Sequence, residues 1–145
     1  MLLKQLQRRF LACMPYLFLF LSLFSCNASL EEKLIGNWKG SDFLFVKTDG
    51  PDIVATINGG LDQHLNSKFV IKEDGTYEKL VGEYDNGKGT WYLEDHRLII
   101  RNSEGDELEY KLLKLTDSKL VVGQEVSMDT PSGKLSGEII LTYTR

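Results

Sequence analysis

Turn-forming residues recur along the second half of this chain about every ten residues, and this regularity limits the folds open to it more than any other feature. They occur at Asp74-Gly75, Asp85-Asn86-Gly87, Asp95-His96, Glu104-Gly105-Asp106, Thr116-Asp117-Ser118 and Met128 to Gly133. Short strands separated by turns at that spacing are typical of β-sandwiches and up-and-down barrels. No helix of useful length is expected.

The segments between the turns are rich in aromatic and β-branched residues and often alternate between apolar and polar. They predict eight strands: Trp38 to Lys47, Lys68 to Glu73, Thr76 to Val81, Gly89 to Glu94, Arg97 to Asn102, Glu107 to Leu115, Lys119 to Ser127 and Glu138 to Arg145. Every link from the second strand onward is short enough for a hairpin. We therefore expect an all-β, antiparallel meander, which can close into a barrel and leave no exposed edge.

The same alternation predicts which side chains face the barrel interior. They are Trp38, Phe43, Phe45, Phe69, Ile71, Tyr77, Trp91, Leu93, Leu98, Ile100, Leu108, Tyr110, Leu120, Val122, Ile139, Leu141 and Tyr143. Trp38 differs in parity from Phe43 and Phe45, so a β-bulge near Gly40 is needed to turn all three inward.

One connection, Thr48 to Ser67, is too long for a hairpin. Ile53 to Ile57 could form an extra strand that turns at Asn58-Gly59-Gly60, whereas the apolar residues from Ile53 to Leu65 also recur at near-helical spacing. The paired glycines argue against one continuous helix. Long loops in compact domains are often functional, so this connection is a candidate lid, or else an extra hairpin or a loop without a role.

The first 25 residues differ from the rest. A basic start with Lys4, Arg8 and Arg9 precedes an apolar run from Phe10 to Phe24, which contains Pro15 and is shorter than the roughly 20 residues of a membrane span. A charged start, a short apolar middle and a small residue before the cut are typical of a signal peptide.

The end of this run, Leu23-Phe24-Ser25-Cys26, resembles the lipobox of bacterial lipoprotein signal peptides. The resemblance implies cleavage before Cys26 and acylation of that residue, which anchors the chain to a membrane. It divides the chain into a signal peptide (1–25), a lipidated cysteine with a polar tether (26–33) and one β-barrel domain (34–145). By the sorting pattern of enteric bacteria, Asn27 after the cysteine implies the outer membrane; the face of that membrane stays open.

Removal of the signal peptide changes the charge and the thiol content. It takes three of the 17 basic residues and none of the 21 acidic ones, which leaves a net charge of −7. Such a domain is repelled by phosphate backbones, so nucleic acid is not expected as a partner. With Cys13 removed and Cys26 acylated, no disulfide can form, and stability must come from an ordinary hydrophobic core.

Four short motifs carry a family resemblance over nearly all of the barrel domain. Gly36-Asn37-Trp38 is similar to the Gly-x-Trp motif of lipocalins, and Asp74 to Tyr77, Gly89 to Leu93 and Leu141 to Arg145 resemble the lipocalin-like domains of bacterial lipoproteins. The resemblance implies that Trp38 closes one end of the barrel and that a late arginine, here Arg145, packs over it. The Thr-Asp-Tyr motif and the C-terminal helix of lipocalins proper are absent from the sequence.

Nothing in the sequence favours an enzyme. The two histidines, His64 and His96, have acidic neighbours but form no ligand set with recognised metal spacing, and exposed loop positions are expected for both. No thiol nucleophile, nucleophile elbow or phosphate-binding loop follows Cys26. We expect neither catalysis, nor a metal, nor a cofactor.

Two function classes remain. The first is a membrane-tethered barrel that receives a small apolar or amphipathic ligand, screened by the aromatic residues Phe43, Phe45, Phe69, Tyr77, Trp91, Tyr110 and Tyr143. The second is an envelope interaction or inhibitor protein with a solid core, which binds another protein through loops such as Ser127 to Gly133. An internal cavity of a few hundred cubic ångströms favours the first. The number of bulky residues on short strands predicts a small or filled interior.

Overall fold

The described residues form a closed antiparallel barrel. The computed structural model describes residues 29–52, 54–81 and 84–145, without the side chains of residues 54–59 and 84–86. In this part of the chain the eight strands are β1 (Gly36–Asp49), β2 (Ser67–Ile71), β3 (Thr76–Val81), β4 (Tyr84–Glu94), β5 (Arg97–Asn102), β6 (Glu107–Leu115), β7 (Lys119–Thr130) and β8 (Gly133–Thr144). Each strand pairs with the next and β8 pairs with β1, which confirms the predicted closed meander.

The turn residues predict several strand boundaries correctly and two of them wrongly. The limits of β3, β5 and β6 agree with the prediction. The expected loop from Ser127 to Gly133 is instead a tight hairpin in which Thr130 pairs with Gly133. The expected turn at Asp85-Asn86-Gly87 lies inside β4, where the pairing skips two residues opposite Lys79 and Gly87 has a φ of 121°. Gly87 lies in a β-bulge at this point, and the bulge, like the predicted turn, needs a residue with a positive φ.

The first strand closes the barrel because it pairs with two neighbours in succession. Gly36 to Lys39 pair with β2, and Lys39 to Asp49 pair with β8. A register shift between Gly40 and Asp42 marks the change of partner and confirms the bulge expected near Gly40. The bulge bends the strand, so both segments can follow the curvature of the barrel.

The connection after β1 contains a helix, α2 (Val54–Leu65), so the expectation that no helix competes with the strands was wrong. The helix passes through Gly59-Gly60, although paired glycines argue against a continuous helix. An added Cβ at Gly60 would lie 3.0 Å from the Phe43 ring, so the missing side chain lets the helix approach the barrel closely. Tertiary packing outweighs the roughly 1 kcal/mol by which each glycine disfavours a helix.

A second, short helix precedes the barrel. α1 (Leu30–Leu34) is capped by Ser29, whose hydroxyl accepts from the Glu32 amide, while the Glu32 carboxylate accepts from the Ser29 amide. Leu34 is fully buried. Part of the segment expected to be a polar tether is therefore a capped helix that packs against the barrel.

The predicted inward face forms the core. Sixteen of the seventeen side chains listed above belong to the hydrophobic cluster or pack against it, and the other, Phe45, lines an internal cavity. Leu34, Leu112 and Leu115 join the cluster without having been expected there. The closed ladder of the described strands and its hydrophobic core lie within residues 29–145. The predicted signal peptide and Cys26 lie outside the described residues.

Candidate functional site

The barrel interior is only partly filled by side chains. A cavity of about 280 Å³ remains beneath α2. It is lined by Phe43, Phe45, Gly60, Gln63, His64, Ser67, Lys79, Val81, Tyr110, Gln124, Met128, Leu135, Ile139 and Leu141. Eight of these fourteen residues have an aliphatic, aromatic or methionine side chain and five are polar, a mainly apolar composition that is usual for a site of a small molecule.

Helix α2 covers this cavity because two glycines let it sit directly on β1. Besides the contact of Gly60 with Phe43, a Cβ at Gly40 would lie 1.8 Å from the His64 carbonyl oxygen. The Ser67 hydroxyl donates to that same carbonyl at 2.7 Å and satisfies it at the end of the helix. The long connection thus places a helix over the barrel interior.

His64 is buried, with 6% of its surface exposed, so the expected exposed loop position was wrong. Its Nε2 lies 2.8 Å from the Thr142 carbonyl oxygen, and its ring meets Tyr143 edge-on at 4.7 Å. Burial lowers the pKa of His64, and the positive charge of Lys79 lowers it further, against the opposing effects of the Thr142 carbonyl and Asp42. A neutral His64 that donates from Nε2 therefore joins α2 to β8.

The cavity wall also contains a cation and a phenol in contact. The Lys79 ammonium on β3 donates to the Tyr110 hydroxyl on β6 at 2.9 Å. It lies 5.9 Å from the centre of the Phe69 ring and 5.4 Å from that of Tyr110. Both distances are within the range of a cation–π contact, so neutral groups surround the charge.

The structure divides the seven predicted ligand residues. Phe43, Phe45 and Tyr110 line the cavity. The other four do not. Phe69, Tyr77 and Tyr143 form the floor of the core, where Phe69 contacts both tyrosine rings at 5.9 and 5.8 Å, and Trp91 donates from Nε1 to the Lys72 carbonyl at 2.9 Å.

Several lining residues were not predicted, and Lys79 is the clearest case. Tyr77, Lys79 and Val81 share one parity on β3, Tyr77 is buried, and both Lys79 and Val81 line the cavity. The alternation along β3 therefore contained the signal, although the predicted inward face includes Tyr77 and not Lys79. Residues on α2 and at the far ends of β7 and β8, such as Gln63, Met128 and Leu135, could not be found without the correct element limits.

The predicted barrel-closing pair lies together at one end. The Arg145 guanidinium carbon is 4.3 Å from the centre of the Trp38 ring, and the guanidinium donates to the carbonyls of Ile35, Lys33 and Asp117. Trp38 itself donates to the Leu34 carbonyl at 2.8 Å. The last residue of the chain thereby ties α1, β1 and the turn before β7 to one another.

The barrel wall is less continuous on the side of β6 and β7. Their pairing begins at Lys111 and Gly123, and the earlier part of β6 makes no ladder with β7. A space of about 310 Å³ lies there, and Gln124 borders both it and the main cavity. The exposed Lys111–Glu125 ion pair, at 2.5 Å, spans the two strands beside it.

No group of three or more histidine, cysteine, aspartate or glutamate side chains in residues 29–52, 60–81 and 87–145 is arranged to hold a metal ion. Neither helix of the described segments is long and apolar enough to cross a membrane.

Comparison with known proteins gives one family and one relative. The family model for a lipocalin-like domain matches residues 34–122. A DegV domain-containing protein of Ureaplasma parvum is 29% identical over 89 residues, which cover 59% of this chain and 41% of that protein. The chain thus spans less than half the length of this curated relative.

Proposed function

Because the chain belongs to the family of lipocalin-like domains, we propose that its barrel binds a small apolar or amphipathic molecule in the cavity beneath α2. The observation that carries this proposal is the volume of about 280 Å³ left inside a closed barrel. It lies at the lower end of the roughly 300 to 1,000 Å³ typical of ligand sites. A small ligand fits this space better than a large one.

The composition of the wall supports a ligand over a purely structural interior. Phe43, Phe45, Leu135, Ile139 and Leu141 offer apolar contact, and each buried methylene of a ligand gains about 0.8 kcal/mol from leaving water. A protein that acts only through its outer surface needs no such space and would be more stable with a filled interior. The cavity therefore favours binding inside the barrel over the alternative of a solid interaction protein.

Native mass spectrometry of residues 27–145, produced in a bacterial periplasm, tests this proposal. We expect an added mass that disappears after organic extraction. To locate the binding site, the compound recovered by extraction is added back to the ligand-free protein, and the methyl NMR signals are followed. Signals of Leu135 and Ile139, in the cavity, should move, whereas Leu113, which is 49% exposed outside the barrel, should not. Movement confined to Leu113 and other outer positions would contradict the proposal.

We further propose that Cys26 carries lipid and holds the barrel at the outer membrane. The support is the sequence Leu23-Phe24-Ser25-Cys26 behind a basic and apolar leader. Labelled palmitate should enter the wild-type chain and not a Cys26→Ala variant. Fractionation of cell membranes should place the labelled protein in the outer membrane, and Asn27→Asp should move it to the inner one. Labelling that persists in Cys26→Ala would refute the anchor.

A further inference from the structure

The cavity holds a positive charge that the barrel itself does not neutralise. Lys79 is partly buried, and its ammonium hydrogen-bonds to a phenol, not to a carboxylate. Within the described segments it takes part in no ion pair, and no residue that lines the cavity carries a carboxylate. Taking a charge from water into a protein interior is costly unless an opposite charge accompanies it.

Several basic residues on the outer surface have carboxylate partners. Lys72 pairs with Glu78 at 2.6 Å, Lys111 pairs with Glu125, and Arg101 pairs with Glu107 at 2.5 Å. Lys79 faces the cavity and has no such partner among the described residues. An aliphatic residue at position 79 would suit the apolar wall better if the position served packing alone.

The groups around Lys79 leave hydrogen-bonding capacity for a ligand. An ammonium has three protons, and Lys79 donates one of them to Tyr110. The Tyr110 hydroxyl accepts this bond and has its own proton available, although only 1% of the residue is exposed. Two donors of the protein therefore face the same space, beside the apolar surface formed by Phe45 and Leu141.

We infer that the natural ligand is an amphipathic acid, whose anionic group binds the Lys79 ammonium and the Tyr110 hydroxyl while its apolar part fills the rest of the cavity. This inference rests on the proposed function and adds the chemical class of the ligand. Charge-assisted hydrogen bonds are about twice as strong as neutral ones, so the acid should bind more tightly than a neutral molecule of the same shape.

The net charge of the protein allows binding of an anion at Lys79 to be distinguished from long-range electrostatic attraction. Residues 26–145 carry a net charge of −7, which repels anions and attracts cations at long range. A preference for an anion can then come only from a local cation. The probes are octanoate, 1-octanol and octylammonium, which have the same tail and differ in the charge of the head.

The affinities for the three probes are measured by methyl NMR titration of the protein of residues 27–145 after organic extraction. The methyl signals of Leu135 and Ile139 report binding in the cavity. We expect the dissociation constant of octanoate to be at least tenfold lower than that of 1-octanol, and octylammonium to bind most weakly. If 1-octanol binds as tightly as octanoate, the acidic ligand is refuted and the proposed function stands. If none of the probes moves the cavity signals, the proposed function fails and this inference with it.

Two matched variants assign the preference to one residue. Lys79→Met removes the charge and keeps the length of the side chain, and it should raise the octanoate dissociation constant at least tenfold and reduce the difference in affinity between octanoate and 1-octanol. Lys68→Met changes an exposed lysine on β2 and should alter neither affinity. Tyr110→Phe should cause a smaller loss for octanoate alone. If the preference for octanoate survives in Lys79→Met, the assignment to Lys79 is wrong.

Discussion

Removal of the Arg145 side chain should destabilise the barrel although Arg145 is an exposed terminal residue. Its guanidinium lies 4.3 Å from the centre of the Trp38 ring and donates to three carbonyls, with a distance of 2.7 Å to Ile35. A cation–π contact of this kind contributes about 0.5 to 2 kcal/mol. Exposed hydrogen bonds of a charged donor add about 1 kcal/mol in total, a low value because water replaces them readily. We therefore expect Arg145→Ala to lower the free energy of unfolding by about 2 kcal/mol.

This change is measured by urea unfolding of residues 27–145, followed by tryptophan fluorescence, and by thermal melting. For a domain of this size a loss of about 2 kcal/mol lowers Tm by about 6 to 12 °C. Arg97→Ala is the matched control, since Arg97 forms surface ion pairs with Glu94 and Glu109 that are worth at most about 1 kcal/mol. If Arg145→Ala costs no more than Arg97→Ala, the contact with Trp38 does not stabilise the barrel and the reasoning fails.

Three further changes test other parts of the structure. Gly36→Ala should be destabilising by itself, because Gly36 has a φ of 150° and an added Cβ would lie 2.4 Å from Nη1 of Arg145. The same change should cost less when it is added to Arg145→Ala, since the steric part of the loss is then removed, and additive losses in a double-mutant cycle would contradict this. Gly40→Ala should detach α2 and raise amide hydrogen exchange in that helix, whereas Gly123→Ala, whose Cβ would meet only the ends of the Glu138 and Leu113 side chains, should leave exchange in α2 unchanged. Because the pKa of His64 is lowered in the folded protein, the unfolded chain binds a proton at a higher pH than the folded protein does. The contribution of His64 to the free energy of unfolding should therefore be complete above about pH 6.5 and decline below it. His64→Gln should flatten this decline between pH 6.5 and 5, and an unchanged slope would show that another group causes it.

The strand pattern could be predicted from the sequence because its signals are local. The turns at Asp74-Gly75, Asp95-His96 and Glu104 to Asp106 fix chain reversals by backbone chemistry alone, and the alternation between them fixes which side chains point inward. Even the bulge near Gly40 could be inferred, since the parity of Trp38 and Phe43 allowed no other solution. The local signal was ambiguous at Gly87, because the same residue types form turns and β-bulges, and here they form a bulge.

Helix α2 could not be predicted with the same rules. Its glycines disfavour a helix in isolation, and their advantage lies in contacts with Phe43 on a strand distant in sequence. The burial of His64 follows from that docking, because its hydrogen-bond acceptor, the Thr142 carbonyl, lies 78 residues away. Interactions of this range leave no trace in local propensity.

Local patterns along the chain predict the closed meander of eight strands, its inward face and the aromatic residues of its core. The partly empty interior, the position of α2 over it and the contact of Lys79 with Tyr110 beside the cavity are found only in the folded molecule. The physical reason is that alternation and turns act between neighbours in the chain. A cavity, in contrast, depends on how curvature, helix docking and side-chain volumes from β1, β3, β6, β7 and β8 combine in space.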